Sequence, residues 1–503
     1  MATALATTAE LLAAGTPGAR LVGDPATPVA GLAYDSRLVE PEFCFAALVG
    51  ADADGHAFAP QAVARGATLI LTERELPLDV AQLVVTDSRA ALAHVAAAFY
   101  RDPSHELGVI GVTGTDGKTT TSYLIDAILR HAGHPVGMIG TVAIRIGDEE
   151  ELHATRQTTP ESADVQRYLR AMVDRGVDWA VLEATSHGLA MHRLDEIRFR
   201  IGAVTNITRE HLDYHGSVEN YQRAKAILFR RVGASGGSAI VNLDDEGARA
   251  MIAPASGAEI TTYSAAGRPA DLRAHGLISD GRGSRFTLAT SRWGSAPVNL
   301  PLIGDFNVAN ALCAAAVTLA AETPLATVAA ALAEAPSAPG RMAAVDEGQP
   351  FAVVVDYAHT PEAMNKVLAL LRRLFPGGRL LVVFGSAGER DREKRPLQGE
   401  VAARLADIAV ITSEDPRFED ADAIIAEIAA GARRTGAVEG ENFHRRTDRR
   451  AAIDLTFDLA RPGDCVLLAG KGHEGSIIWG REKRPWNEAA VARELLRERG
   501  FGG

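Results

Sequence analysis

A chain of 503 residues is too long for one hydrophobic core, and at about 150 residues per domain it predicts three. With 47% apolar and 23% charged residues and no strongly biased segment, it excludes a fibrous repeat and a disordered chain. A formal charge of −12 excludes a nucleic-acid binder, which needs a basic face to displace counterions from phosphates.

The alanine-rich residues 1–15 have no basic segment before them, so no signal peptide is expected. Apolar runs at 67–71 and 82–85 alternate with polar turns, and 88–100 reads as an alanine-rich helix. Together they predict a small N-terminal α/β domain over 1–105. Asp102-Pro103-Ser104 marks its end, because proline excludes helix for the residue before it. Residues 107–112 pattern as a buried strand, a glycine-rich loop follows, and 119–131 has helical periodicity with Leu124, Ile128 and Leu129 on one face. Strand-like runs at 179–182 and 201–205 alternate with helices, which predicts a parallel sheet in a central domain over 106–338 of the P-loop ATPase type. The longest nearly apolar stretch, 311–321, ends at Glu322, far short of the ~18 residues that span a bilayer, so no membrane insertion is expected. Residues 335–340, Ala-Pro-Ser-Ala-Pro-Gly, read as a linker. Beyond them, strand-like runs at 352–355, 379–384, 408–412 and 464–468 predict a Rossmann-like α/β domain over 339–503. Ligands of such sheets bind beyond the carboxyl ends of the strands. The three cysteines, Cys44, Cys313 and Cys465, are odd in number and lack metal-ligand spacing, which predicts reduced core thiols in a cytoplasmic protein.

The loop Gly114-Thr115-Asp116-Gly117-Lys118-Thr119-Thr120 is a phosphate-loop variant. Gly114 and Gly117 let backbone amides converge on phosphate oxygens, and the following helix points its positive end at the same place. Lys118 is expected to reach the terminal phosphates of ATP and Thr119 to ligate Mg2+. The strict pattern is not met, since its first glycine falls at Val112. Such a loop does not by itself choose among a kinase, a switch GTPase, a transport ATPase and a ligase.

Two further stretches, 181–189 (Val-Leu-Glu-Ala-Thr-Ser-His-Gly-Leu) and 205–216 (Thr-Asn-Ile-Thr-Arg-Glu-His-Leu-Asp-Tyr-His-Gly), make that choice. With the loop they resemble the Mur ligases of peptidoglycan synthesis. The resemblance continues in collinear order through 304–310, 340–342, 356–361 and 470–474. It is nearest to the members that add the third residue of the stem peptide, on Tyr34-Asp35-Ser36-Arg37, Asp54-Gly55-His56, Thr158-Thr159-Pro160 and 391–396.

That resemblance implies a monomeric, ATP-consuming ligase. ATP would phosphorylate a carboxylate of UDP-N-acetylmuramoyl-L-alanyl-D-glutamate, and the amine of a free diamino acid would displace phosphate. Thr119, Glu183 and His211 are implied on the metal side, with Lys225 as a carbamylated lysine; a carbamate turns a cation into an anion able to face Mg2+. Lys118, Lys225 and His211 are the implied catalytic set. For ATP the resemblance adds Asn307 and Asn310 at adenine, Arg341 at the phosphates and Asp356 at ribose. For the UDP-sugar dipeptide it gives Tyr34, Ser36, Thr158, Thr159, Thr185 and Arg193. Read alone, Glu183, His211 and Lys225 also fit surface positions, Asn307 and Asn310 helix hydrogen bonds, and Asp356 a cap for the helix at Pro361. Two departures are Thr185, where serine is common, and Met191, where a glutamine is familiar. Sites drawn from all three domains imply hinge closure during the reaction.

The amino-acid pocket is implied at Arg390, Glu414, Asp415, Pro416, Arg417, Gly470 and Glu474. Diaminopimelate-adding members carry Asp-Asn-Pro-Arg where this chain has Glu414-Asp415-Pro416-Arg417. Arg417 can clamp a carboxylate, which favours meso-diaminopimelate. Asp415 would repel that carboxylate and welcome the ammonium of L-lysine or L-ornithine, unless it pairs with Arg417. Diaminopimelate is expected first, by a small margin. The alternatives are a sibling amide ligase, acting on folate or adding D-alanyl-D-alanine, and a P-loop ATPase without ligase activity.

Overall fold

The computed structural model describes residues 6–50, 53–151, 157–280 and 283–502. Contacts gather the chain into two bodies: Met1–His275 with Thr287–Val298 and Ala309–Leu332, and Gly276–Phe286 with Asn299–Val308 and Ala333–Gly503.

Among the described residues the first body carries two principal sheets, besides the short pair Thr7–Thr8 and Pro28–Val29. In the smaller, Gly31–Ala33, Phe43–Ala46, Leu69–Thr72 and Ala81–Val84 pair in parallel, and Arg20–Val22 closes one edge antiparallel. Alternate strand residues point to opposite faces. Leu69 and Leu71 therefore pack with Leu92, Val95 and Phe99 of the helix Ser88–Phe99, while Ile70 packs with Phe45, Ala59 and Ala62 on the other face. Asp87 caps that helix by accepting from the amides of Arg89 and Ala90.

The larger sheet has a parallel centre in the order Val136–Ile139, Trp179–Glu183, Gly108–Thr113, Ile201–Val204, Ser238–Asn242, Glu259–Ser264. After Gly108–Thr113 the chain lays its next strands of this centre on one side and the later ones on the other. The carboxyl end of Gly108–Thr113, where the glycine-rich loop begins, is thus a topological switch point. The strands Leu272–Asp280, Gly283–Thr290 and Ser295–Leu300 were not anticipated from the sequence. Phe286, Leu288, Val298 and Leu300 bury every second position, but the adjacent exposed apolar residues Leu277 and Ile278 blur the period.

The second body is a six-stranded sheet. Ala352–Asp356, Cys465–Ala469, Leu380–Phe384, Ile408–Ile411 and Phe443–Arg445 run parallel, with Ala343–Ala344 antiparallel at the edge. Val382, Phe384 and Ile411 join the helices Pro361–Leu374, Lys394–Leu405 and Ala421–Arg434 on one face. Leu381, Val383 and Val410 join Arg449–Leu459 and Glu488–Glu498 on the other. Strands buried on both faces read as the continuous apolar runs seen in the sequence.

The linker expected at 335–340 is irregular chain, and this body already begins at Ala333 and takes in two earlier segments. Cys44, Cys313 and Cys465 are free and buried. Among the described residues no helix is long and apolar enough to cross a membrane.

Candidate active site

The loop 114–120 joins the strand Gly108–Thr113 to the helix Lys118–His131. Gly114 (φ 155°) and Gly117 (φ 85°) adopt backbone conformations that side chains disfavour. A Cβ on Gly117 would also stand 2.4 Å from Asn310 Oδ1, and one on Gly114 would overlap Thr205 Oγ1. The end of the neighbouring strand stitches the loop in place. Thr115 N donates to Asn206 O at 2.8 Å, Asp116 N to Asn206 Oδ1 at 2.9 Å, and Thr205 Oγ1 to Asp116 O at 2.6 Å. Lys118 Nζ curls over the loop and donates to the carbonyls of Gly114 and Thr115, both at 2.8 Å. Thr119 and Thr120 are buried in the first helical turn.

Glu183, at the end of the adjacent strand, is buried at 1% exposure, so the surface reading fails. Its Oε2 accepts from Thr119 Oγ1 at 3.1 Å and Thr141 Oγ1 at 2.9 Å, and its Oε1 from Thr141 N at 2.9 Å. Lys225 lies in the helix Val218–Ala234 and is also buried, at 1%. Its Nζ donates to Gly114 O at 2.8 Å and stands 4.6 Å from the Tyr221 ring centre, and it forms no ion pair among the described residues. Burial first, and then the charge of Lys118, hold its amine well below the usual lysine range.

His211 does not join this group through a hydrogen bond among the described residues. It sits at φ 52° before the short helix Leu212–His215, half-exposed, with its ring 4.8 Å from that of His187 and 6.3 Å from that of Tyr221. Burial, and then the nearby His211 and His215, push His187 down to about 4.

The residues implied for the UDP-sugar dipeptide divide. Thr158, Thr159, Thr185 and Arg193 gather at the end of the Glu183 strand. Thr158 Oγ1 lies 3.1 Å from Thr141 Oγ1. Thr159 Oγ1 donates to Glu183 O at 2.7 Å and lies 2.9 Å from Thr185 Oγ1, and Arg193 donates to Thr159 O at 3.0 Å while pairing with Glu161 at 2.9 Å. Tyr34 and Ser36 lie by the smaller sheet, donating to Asp164 at 2.6 Å and Gln61 at 3.0 Å.

Asn310 accepts from Thr121 Oγ1 at 3.4 Å, behind Gly117. In the second body Asn307 Nδ2 donates back to Ile303 O at 2.8 Å, and the Arg341 guanidinium stacks 5.2 Å from the Tyr357 ring centre. Asp356 is not a helix cap: it accepts from the amides of Met342 (2.9 Å) and Ala358 (2.8 Å), while Thr360 caps Pro361–Leu374.

Glu414, Asp415 and Pro416 follow the strand Ile408–Ile411, and Gly470 and Glu474 follow Cys465–Ala469. Burial pushes the Glu414 carboxyl above its usual range, against the pull of Lys394 and Lys471. Gly470 (φ 100°) brings its backbone against that carboxylate, with a Cβ position 3.0 Å from Glu414 Oε2. Asp415 accepts from Lys471 Nζ at 2.9 Å and Ile478 N at 3.0 Å, and Lys471 also donates to Glu474 at 2.6 Å. Arg417 (φ 54°) is held by its backbone to Ile478 and Gly480, at the hairpin of Ser476–Trp479 and Glu482–Pro485. Arg390 is exposed, and no hydrogen bond among the described residues ties it to the others.

Sequence reasoning passed over Thr141 and Lys471. Thr141 closely follows a strand, Val136–Ile139, that pairs with the Glu183 strand, and that position was its one available signal. Lys471 stood inside the 470–474 motif without a role. No group of three or more His, Cys, Asp or Glu side chains gathers for a metal among the described residues. The oxygens of Thr119 and Glu183 nevertheless suit a hard cation, and a carbamate on Lys225, which lies against Gly114 of the same loop, would add anionic oxygen.

Three family models match the chain in order: the Mur ligase family catalytic domain over residues 28–100, the Mur ligase middle domain over 112–318, and the Mur ligase glutamate ligase domain over 340–472. A UDP-N-acetylmuramyl-tripeptide synthetase of a Roseiflexus species is 48% identical, across 95% of this chain and 97% of its own length. A UDP-N-acetylmuramoyl-L-alanyl-D-glutamate–2,6-diaminopimelate ligase of Geobacillus kaustophilus is 42% identical, across 94% and 96%. A solved structure of a ligase with that second name superposes with a TM-score of 0.69 at 32% identity, covering 95% of this chain and 97% of the other. A phosphate loop at the switch point of one sheet and a Rossmann-like sheet later in the chain, carried on a sequence matched nearly end to end, make this chain a member of the Mur ligase family.

Proposed function

We propose that the chain is a cytoplasmic ligase that uses ATP to join meso-diaminopimelate to UDP-N-acetylmuramoyl-L-alanyl-D-glutamate. Three domains, over 1–105, 106–338 and 339–503, would hold the uridine nucleotide, ATP and the amino acid. The observation that carries this reading is Lys225, an amine buried against the phosphate loop with no ion pair among the described residues. A buried lysine whose ammonium form is disfavoured by burial is a nucleophile toward CO2 through its neutral amine, and its carbamate is an anion suited to the metal side of a nucleotide site.

The chemistry asks the site to bring anions together. A carboxylate oxygen of the dipeptide attacks the γ-phosphorus of ATP, ADP leaves, and an acyl phosphate forms. The free amine of the diamino acid then attacks the acyl carbon, and inorganic phosphate departs with that oxygen. Lys118 and the amides of 114–120 hold the triphosphate. Thr119, Glu183 and carbamylated Lys225 would hold Mg2+, with His211 joining on resemblance, and the ion supplies neutralisation of the crowded negative charge. Thr141 orients Glu183, and Thr158, Thr159, Thr185 and Arg193 present the dipeptide from the same strand end. Asn307, Asn310, Arg341 and Asp356 serve the nucleoside and phosphates of ATP.

Diaminopimelate stands ahead of L-lysine and L-ornithine because Asp415, the residue that argued for a simple diamine, is already paired with Lys471. The test is phosphate release with ATP, UDP-N-acetylmuramoyl-L-alanyl-D-glutamate and each of the three amino acids. Release is expected to be fastest with diaminopimelate. A response to lysine or ornithine alone would reverse the order, and hydrolysis indifferent to any amino acid would identify an ATPase that is not a ligase.

A further inference from the structure

We infer that Lys471 is a positioning residue that sets the charge of the amino-acid pocket, so that an amino acid carrying an extra carboxylate is accepted. The inference rests on the pocket assignment above and goes beyond it. Lys471 was assigned no role by its motif, yet its side chain has 0% exposure and its ammonium bridges two acids of that pocket, Asp415 at 2.9 Å and Glu474 at 2.6 Å. A lysine is rarely buried so fully unless paired.

The backbone is shaped to bring it there. Gly470 (φ 100°) and Gly472 (φ 50°) turn the chain sharply on either side of Lys471 at the end of the strand Cys465–Ala469. A Cβ on Gly472 would come within 2.8 Å of Tyr357 Cβ. Asp415 arrives from the end of another strand, 56 residues earlier, and its Oδ1 takes a second hydrogen bond from Ile478 N at 3.0 Å. Both acids are therefore held by one cation, and Asp415 is additionally anchored to the hairpin beside Arg417.

Without Lys471, Asp415 and Glu474 would add −2 beside Arg417, over and above Glu414, a setting that favours a second ammonium and repels a carboxylate. One ammonium between them leaves −1 from this pair, enough to attract an amine at Glu474 while lessening the repulsion of a carboxylate held at Arg417. Lys471 thus acts through Asp415 and Glu474 rather than by touching the reacting atoms. Removing its charge should move the preference from diaminopimelate toward lysine.

Full-length wild type, Lys471→Gln, Lys471→Arg, Asp415→Asn and the double variant Asp415→Asn/Lys471→Gln would be compared by phosphate release. For each, kcat and KM would be measured with diaminopimelate and with L-lysine, alongside the melting temperature. Lys471→Gln is expected to raise the diaminopimelate KM about tenfold or more and to lower the diaminopimelate-to-lysine ratio of kcat/KM by a similar factor. Lys471→Arg should retain most of the wild-type ratio, and the double variant, with one acid and one cation removed, should restore it. A folded Lys471→Gln with an unchanged ratio overturns the inference, because a merely structural bridge would alter stability without altering preference. If Lys471→Gln does not fold, Asp415→Asn decides: the ratio should rise, and an unchanged ratio overturns the proposal. Wild type that turns over neither amino acid would instead defeat the pocket assignment itself.

Discussion

Two lysines, equally hidden from water, are treated in opposite ways by the two bodies of this molecule. Lys225, in the first, meets a backbone carbonyl and an aromatic ring and has no carboxylate partner among the described residues. Lys471, in the second, is clamped between Asp415 and Glu474. The second body repeats that habit: Arg395 is bridged to Glu419 and Glu427, and Arg449 to Glu488. Burial disfavours the charged form unless a counter-charge compensates, so an unpaired buried lysine is an amine available for chemistry and a paired one is a fixed charge that shapes a pocket.

The largest test of this contrast is Lys225→Ala, which should lower phosphate release by on the order of 10³-fold with added bicarbonate unable to restore it. Turnover resembling wild type would end the distinction between the two lysines. On the paired side, Glu488→Gln leaves the Arg449 guanidinium buried without its counter-charge and should cost about 3 kcal/mol in a urea unfolding experiment. A loss below about 0.5 kcal/mol would mean that Arg449 needs no acid there. Thr141→Val removes hydroxyl contacts to Glu183 and should raise the Mg2+ concentration for half-maximal activity about tenfold, with little change in KM for the amino acid. The smallest effect concerns acid. Arg395 foremost, with the Glu389 amide and Arg392, holds Glu419 down to about 2. A depressed carboxylate stabilises fully above its unfolded value near 4.5 and loses that contribution as pH falls toward 2. Glu419→Gln should therefore flatten the pH dependence of the unfolding midpoint between those limits, and an unaltered slope would separate Glu419 from the buried Arg395.

How much of the site the sequence revealed depended on how local the chemistry is. Residues 114–120 were legible because phosphate binding uses consecutive backbone amides and the helix that starts among them. Glu183 was legible as a strand end, but its burial was not. Thr141 escaped notice because its importance comes from the pairing of Ile139 with Leu182, which carries the following residues alongside Glu183. The alternative of Asp356 as a cap for the helix at Pro361 falls on local grounds instead, since Thr360, immediately before that proline, takes the place.

The strands of both parallel sheets were visible as apolar runs, since burial on two faces demands apolar residues throughout. The strands over 272–300 were not, because Leu277 and Ile278 are apolar and exposed together. From the sequence alone came the family, the phosphate loop and the α/β class, all of which are written in contiguous motifs and local periodicity. Tertiary structure alone decided that Lys225 is buried beside Gly114 and that Asp415 is paired with Lys471. Those partners lie 111 and 56 residues apart, and the charge a buried group keeps is set by whichever neighbours the fold brings to it.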